Sequence, residues 1–146
     1  MDGCFTCEVN SGQRPTPGGP IYESGLWVAD HGTPPLLAGY VVLKPRRHVG
    51  DVADLTPEES AGFGPAVRTV MDAIRSALRP ERTYMCSFVE TVPQHLHFHL
   101  LPRYSTMPKL GPVGLGRVFA GEWQVSESEA EQAAGRIRTA LADAPE

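Results

Sequence analysis

The hydrophobic positions of this chain change period along its length, and the changes mark its elements. Between residues 94 and 102, Leu96, Phe98 and Leu100 alternate with His95, His97 and His99. A period of two belongs to an extended strand, so the stretch predicts three imidazoles on one face, roughly 7 Å apart in succession, and an apolar opposite face. Gly39-Tyr40-Val41-Val42-Leu43-Lys44 is a nearly continuous apolar run that predicts a buried strand stopping at Pro45. Ile21-Tyr22-Glu23 and Leu26-Trp27-Val28-Ala29 flank Ser24-Gly25 and predict a hairpin, followed by a turn over residues 31–35. Residues 83–89 predict one more strand, joined to the histidine stretch by Thr91-Val92-Pro93.

After Thr56 the period becomes helical. Phe63, Val67, Val70, Met71, Ile74 and Leu78 fall on one stripe, with Thr56 as N-cap, Pro57 at the first helical position, Glu59 closing a capping box and Pro80 as the stop. Gly62, Gly64 and Pro65 weaken its first turns. Ser126 and Glu129 form a second capping box before a terminal helix over residues 126–142, with Ala130, Ala133, Ala134, Ile137 and Leu141 on one side. Residues 10–20, rich in Gly, Pro and Ser, and residues 104–121 predict loops. Short strands, one central helix, two more strands and a terminal helix predict an α+β fold, an antiparallel sheet of about five strands with helices packed against it.

Composition narrows the class. The 146 residues suit a single domain over residues 1–146 with one real core. A formal charge of -4 gives no reason to expect nucleic acid as a partner. Met1-Asp2-Gly3-Cys4 lacks the basic and apolar regions of a leader, and no apolar run approaches membrane-spanning length, so a cytoplasmic protein without membrane association is expected. Three cysteines are too few for a disulfide framework. Cys4-x-x-Cys7 therefore points to metal or redox use, and Cys86, in a strand, to a small core residue.

Three histidines on one strand face concentrate titratable groups that could not cheaply be buried together, which makes that face functional. Zinc takes about four nitrogen or sulfur ligands, and Cys4 and Cys7 supply two from one tight turn. His48, after Arg46 and Arg47, and His95 are the best candidates for the others, which leaves His97 for chemistry. Free or reversibly oxidised thiols are the alternative. His31, in a Gly/Pro turn, is expected to be solvated.

The motif His95-Leu96-His97-Phe98-His99-Leu100-Leu101 resembles the signature of the histidine triad (HIT) superfamily of nucleotide hydrolases and transferases. Ile21-Tyr22-Glu23, residues 39–48 and Asp54-Leu55-Thr56 resemble the superfamily's upstream segments in the same order, so the likeness covers residues 4–103, with 104–146 as a C-terminal loop and helix. The resemblance implies that His97 attacks a nucleotide α-phosphorus and forms a covalent nucleotidyl-histidine, which water or another acceptor resolves. It implies that His99 contacts phosphate and, as an imidazolium, protonates the departing group. It also implies a structural zinc on Cys4, Cys7, His48 and His95, a base pocket lined by Ile21, Tyr22 and Trp27, and a homodimer.

Two positions depart from the superfamily's pattern. Gly32 stands where many relatives carry an aspartate that grips ribose hydroxyls, with Asp30 two residues away. Glu90-Thr91-Val92 replaces the relatives' Gly-Gln-Ser/Thr, leaving Thr91 as the phosphate-loop donor. The expected activity is hydrolysis or transfer of a nucleoside monophosphate unit from a phosphoramidate, dinucleoside polyphosphate or nucleotidyl ester. The competing readings are a nucleotide-binding regulatory module without turnover and an enzyme of specialised metabolism acting on a phosphorylated compound that is not a plain nucleotide.

Overall fold

Strands form at each alternating or continuous apolar run, in a computed structural model that describes residues 1–145. They are β1 (Pro20–Glu23), β2 (Trp27–His31), β3 (Val41–Pro45), β4 (Arg82–Cys86) and β5 (Phe98–Arg103). All pair antiparallel in one sheet of order β1-β2-β3-β5-β4. Among the described residues four α-helices accompany them: α1 (Phe5–Asn10), α2 (Pro57–Leu78), α3 (Gly111–Phe119) and α4 (Glu127–Ala142). The α+β class and the five antiparallel strands follow the sequence expectation. Among the described residues, no helix is long and apolar enough to cross a membrane.

Alternation along the strands sorts side chains onto two faces. Trp27, Ala29, Val41, Leu43 and Leu100 meet Ala66, Val70 and Ile74 of α2 and Ala134 and Ile137 of α4 in the main core. Both capping boxes form as read, Thr56 with Glu59 and Ser126 with Glu129, and α2 runs through Pro65. Gly62 lies against the Trp27 indole, whose Nε1–H donates to the Glu59 carbonyl at 3.0 Å and ties β2 to the first turn of α2. The opposite face carries Tyr40, Leu101, Met107, Leu110 and Val118 in a second cluster, with Cys86 half-buried beside it.

Three expectations about elements need correction, and one helix is added to them. The histidine strand starts at Phe98 and not at residue 94. The backbone before it is spent elsewhere: Leu96 N–H bonds the Val49 carbonyl, and the His95 carbonyl accepts from the His97 ring. The strand read over residues 83–89 runs Arg82–Cys86, after which Ser87 Oγ bonds the His97 carbonyl. Residues 104–121 are not all loop, because α3 forms where Leu115, Val118 and Phe119 dock on the second cluster. The start of the chain contains α1, capped by Cys4.

Candidate functional site

The Cys4 sulfur caps α1 by accepting from Cys7 N–H at 3.5 Å, which turns both sulfurs to one side. His48, three residues after β3, and His95, three before β5, bring imidazoles to them. Cys7 Sγ lies 3.4 Å from Nδ1 of both His48 and His95, and Cys4 Sγ lies 3.6 Å from His95 Nδ1. All four ligand atoms fall within 4.8 Å of one another. A tetrahedron with bonds of about 2.0–2.3 Å has edges of about 3.3–3.8 Å, a range that the three sulfur–nitrogen separations of 3.4–3.6 Å fall within. His95 Nε2–H donates to the Pro45 carbonyl at 3.0 Å, which leaves the Nδ1 lone pair facing the sulfurs. Burial holds His95 down at about 4, in the unprotonated form a ligand needs. Burial and the neighbouring Cys4 push the Cys7 thiol up, and a bound dication would reverse this by stabilising the thiolate.

His97 stands half-buried beside this cluster. Its Nδ1 is 2.8 Å from the His95 carbonyl oxygen. A carbonyl only accepts, so Nδ1 carries a proton and, in the neutral ring, Nε2 carries the lone pair. The His99 ring lies 4.8 Å away at 82°, buried among Tyr40, Phe119 and Phe88. Burial, reinforced by the nearby His97, holds His99 down at about 4. In the unliganded protein, burial of this cleft-lining ring therefore favours the neutral imidazole.

A cleft of about 260 Å³ opens in front of these histidines. Phe5 and Val9 of α1 form one wall, Asp30, Tyr40 and Lys44 the floor, and Thr91 and Pro93 the far side. Sheet register explains the floor: Asp30, Val42, His99 and Cys86 stand in one row across β2, β3, β5 and β4. Lys44 and Asp30 form an ion pair with 2% and 6% of their side chains exposed.

Not every residue expected at the site is there. Ile21 and Trp27 are buried in the α2-facing core, Tyr22 packs half-buried against that core, and none of the three lines the cleft. Strand alternation and the β1 register shift turn them toward the helices. Thr91 does line the cleft. His31 is not solvated: it is fully buried at the end of β2, with Nδ1–H donating to the Gly32 carbonyl at 2.9 Å and Nε2 accepting from Gly39 N–H at 3.0 Å. Sequence reading missed Tyr40, Lys44 and the α1 wall. A lysine two residues after Val42 in an apolar strand is the signal that pointed to a buried partner.

Comparison with known proteins identifies relatives of the chain. A family model described as HIT domain matches residues 14–106. An uncharacterised HIT-like protein of Mycobacterium tuberculosis is 28% identical over 104 residues, 68% of this chain and 70% of that protein. The asymmetrical bis(5'-nucleosyl)-tetraphosphatase of Schizosaccharomyces pombe is 31% identical over 88 residues, 57% of this chain and 48% of that one. Among solved structures, a zinc-bound histidine triad family protein of Mycobacterium smegmatis shares the fold, with a TM-score of 0.71 at 22% identity over 96% of this chain and 94% of that chain.

Proposed function

Because the chain belongs to the HIT domain family, we propose that it is a nucleotide hydrolase or nucleotidyltransferase working through a covalent nucleotidyl-histidine at His97. The observation that carries this reading is the orientation of His97: the His95 carbonyl holds the Nδ1 proton, and the opposite nitrogen keeps a free lone pair at the cleft. An unprotonated imidazole is a competent nucleophile at neutral pH, and splitting one displacement into two makes each step easier. Nε2 attacks phosphorus and forms a P–N bond as the bond to the leaving group breaks. Water or another acceptor then attacks phosphorus and gives up its proton to solvent, and the P–N bond breaks with its electron pair returning to Nε2, which restores His97. His99 and Thr91 contact the non-bridging oxygens.

The buried His99 is a poor acid, so groups that depart as stable anions are favoured. Dinucleoside polyphosphates and nucleotide sugars then rank above phosphoramidates, whose amine must leave with a proton. The tetraphosphatase relative supports that ranking. Cys4, Cys7, His48 and His95 would hold a zinc ion, supported by the donor spacing and by the zinc-bound neighbour of the same fold. With all four positions taken by protein, the ion would supply rigidity to the histidine stretch and no Lewis-acid site.

In the test, the three substrate classes are assayed side by side with wild type and His97→Ala, and the quenched protein is weighed. We expect a mass increase of one nucleoside monophosphate on wild type alone and a loss of turnover of about a thousandfold or more in the variant, with the fold intact. Unchanged turnover in His97→Ala would sink the mechanism. A second reading, an enzyme acting on a phosphorylated compound that is not a plain nucleotide, is favoured by Gly32, which offers no carboxylate to a ribose. Turnover of simple phosphorylated compounds in preference to all three nucleotide classes would select it.

A further inference from the structure

We propose that Tyr40 is a positioning residue for His99: its phenol O–H donates to His99 Nδ1 and fixes the imidazole as the tautomer with its proton on Nε2. The inference rests on the reading of His97 and His99 as the phosphate-handling pair, but its physical content is readable without turnover.

Three observations carry it. The first is hydrogen-bond satisfaction. Tyr40 is buried, its Oη lies 2.7 Å from His99 Nδ1, and among the described residues that hydroxyl makes no other hydrogen bond. With the proton on Nδ1, the phenol would keep a buried O–H with no acceptor, and His99 would turn a lone pair toward phosphate oxygens. Both are unfavourable. With the proton on Nε2, the phenol donates to Nδ1 and a neutral His99 still presents a donor. Burial also pushes the Tyr40 phenol well above its ordinary value, so it remains a donor throughout the working range.

The second observation is how the chain holds Tyr40. Gly32 N–H donates to the Tyr40 carbonyl at 2.8 Å, and Gly39, at φ +77°, makes the turn into the strand. Buried His31 bridges the neck of this loop by bonding the Gly32 carbonyl and the Gly39 amide, and burial keeps it neutral, as both bonds require. The third is Gly32 itself. A Cβ there would stand 2.0 Å from Tyr40 Cε1 and 2.5 Å from Cζ. The ring that reaches His99 occupies the place of any side chain at position 32, so the missing carboxylate and the presence of Tyr40 are one structural choice.

The test reads the tautomer directly. Unliganded, metal-loaded protein labelled with ¹⁵N is examined near pH 7 by two-bond ¹H–¹⁵N correlation, in wild type and in Tyr40→Phe, which removes only the hydroxyl and keeps the ring over Gly32. We expect His99 in wild type with an unprotonated Nδ1 and a protonated Nε2. The variant should show a shift toward the other tautomer and a fall in kcat of about 10- to 100-fold, with KM changed by less than about threefold. A wild-type His99 protonated on Nδ1 overturns the proposal. So does a variant that keeps the tautomer, or one that loses it without change in kcat. Absence of turnover by wild type on every nucleotide would instead sink the proposed function, and the wild-type tautomer would still decide for or against Tyr40.

Discussion

Lys44 carries its ammonium group into the floor of the cleft, where the Asp30 carboxylate is its one hydrogen-bond partner among the described residues. Burial pushes Asp30 up and Lys44 down, each toward its neutral form, while each opposes the shift in the other. Removing one partner strands a buried charge, whereas removing both strands nothing. Lys44→Met should therefore cost about 3–5 kcal/mol, and Lys44→Met combined with Asp30→Leu should recover most of that loss. Denaturant midpoints of the two singles and the double close the cycle, and a double as unstable as the sum of the singles would show that the charges are not coupled. His31 makes the same point about residues read in isolation. Its Gly/Pro neighbours predict solvent, but two backbone groups of the loop it closes claim both ring nitrogens.

At the scale of elements, α2 formed as read because its signals are local: a capping box, a proline at the first helical position and an apolar stripe all lie within a few residues of one another. Tertiary structure adds Arg47, which reaches back from the end of β3 to the Glu59 carboxylate at 2.8–2.9 Å. The Arg47 guanidinium, with the Thr56 amide, holds Glu59 down at about 2. A carboxylate depressed in the folded state stabilises it fully above the ordinary value of about 4.5, and that stability is lost as pH falls toward about 2. Glu59→Gln should cost about 1–2 kcal/mol at pH 7 and flatten the acid limb of the stability curve between those values. Thermal melts across pH 2–7 check it, and a variant with an unchanged acid limb would exclude Glu59 as its source. The helix α3 is the opposite case. Gly111, Pro112, Gly114 and Gly116 give it poor intrinsic propensity, so it depends on docking Val118, Leu115 and Phe119 against the second cluster, which no local window contains.

For the molecule as a whole, the Cys/His cluster joins the start of the chain to the end of β3 and to the approach to β5, with Cys4 and His95 separated by 91 positions. We expect elemental mass spectrometry of protein purified without chelator to find about one zinc per chain, lost in Cys4→Ala and His95→Ala. We also expect a fall in Tm of about 5–10 °C on stripping the metal, with α1 released to proteolysis. No metal in wild type, or full metal in both variants, would remove zinc from the account. The sequence by itself determined the α+β class, both capping boxes and the alternation that separates the α2-facing core from the cleft face. These are carried by residue type and short-range period, which act through local backbone geometry. Only the tertiary structure decided that Trp27 and Ile21 belong to the core, that the histidine strand begins at Phe98, that His31 is a buried clamp, and that Tyr40 lies over Gly32 and reaches His99. Each of these depends on which distant side chain or backbone group meets a given atom, and register and packing across the sheet fix that only once the chain has closed on itself.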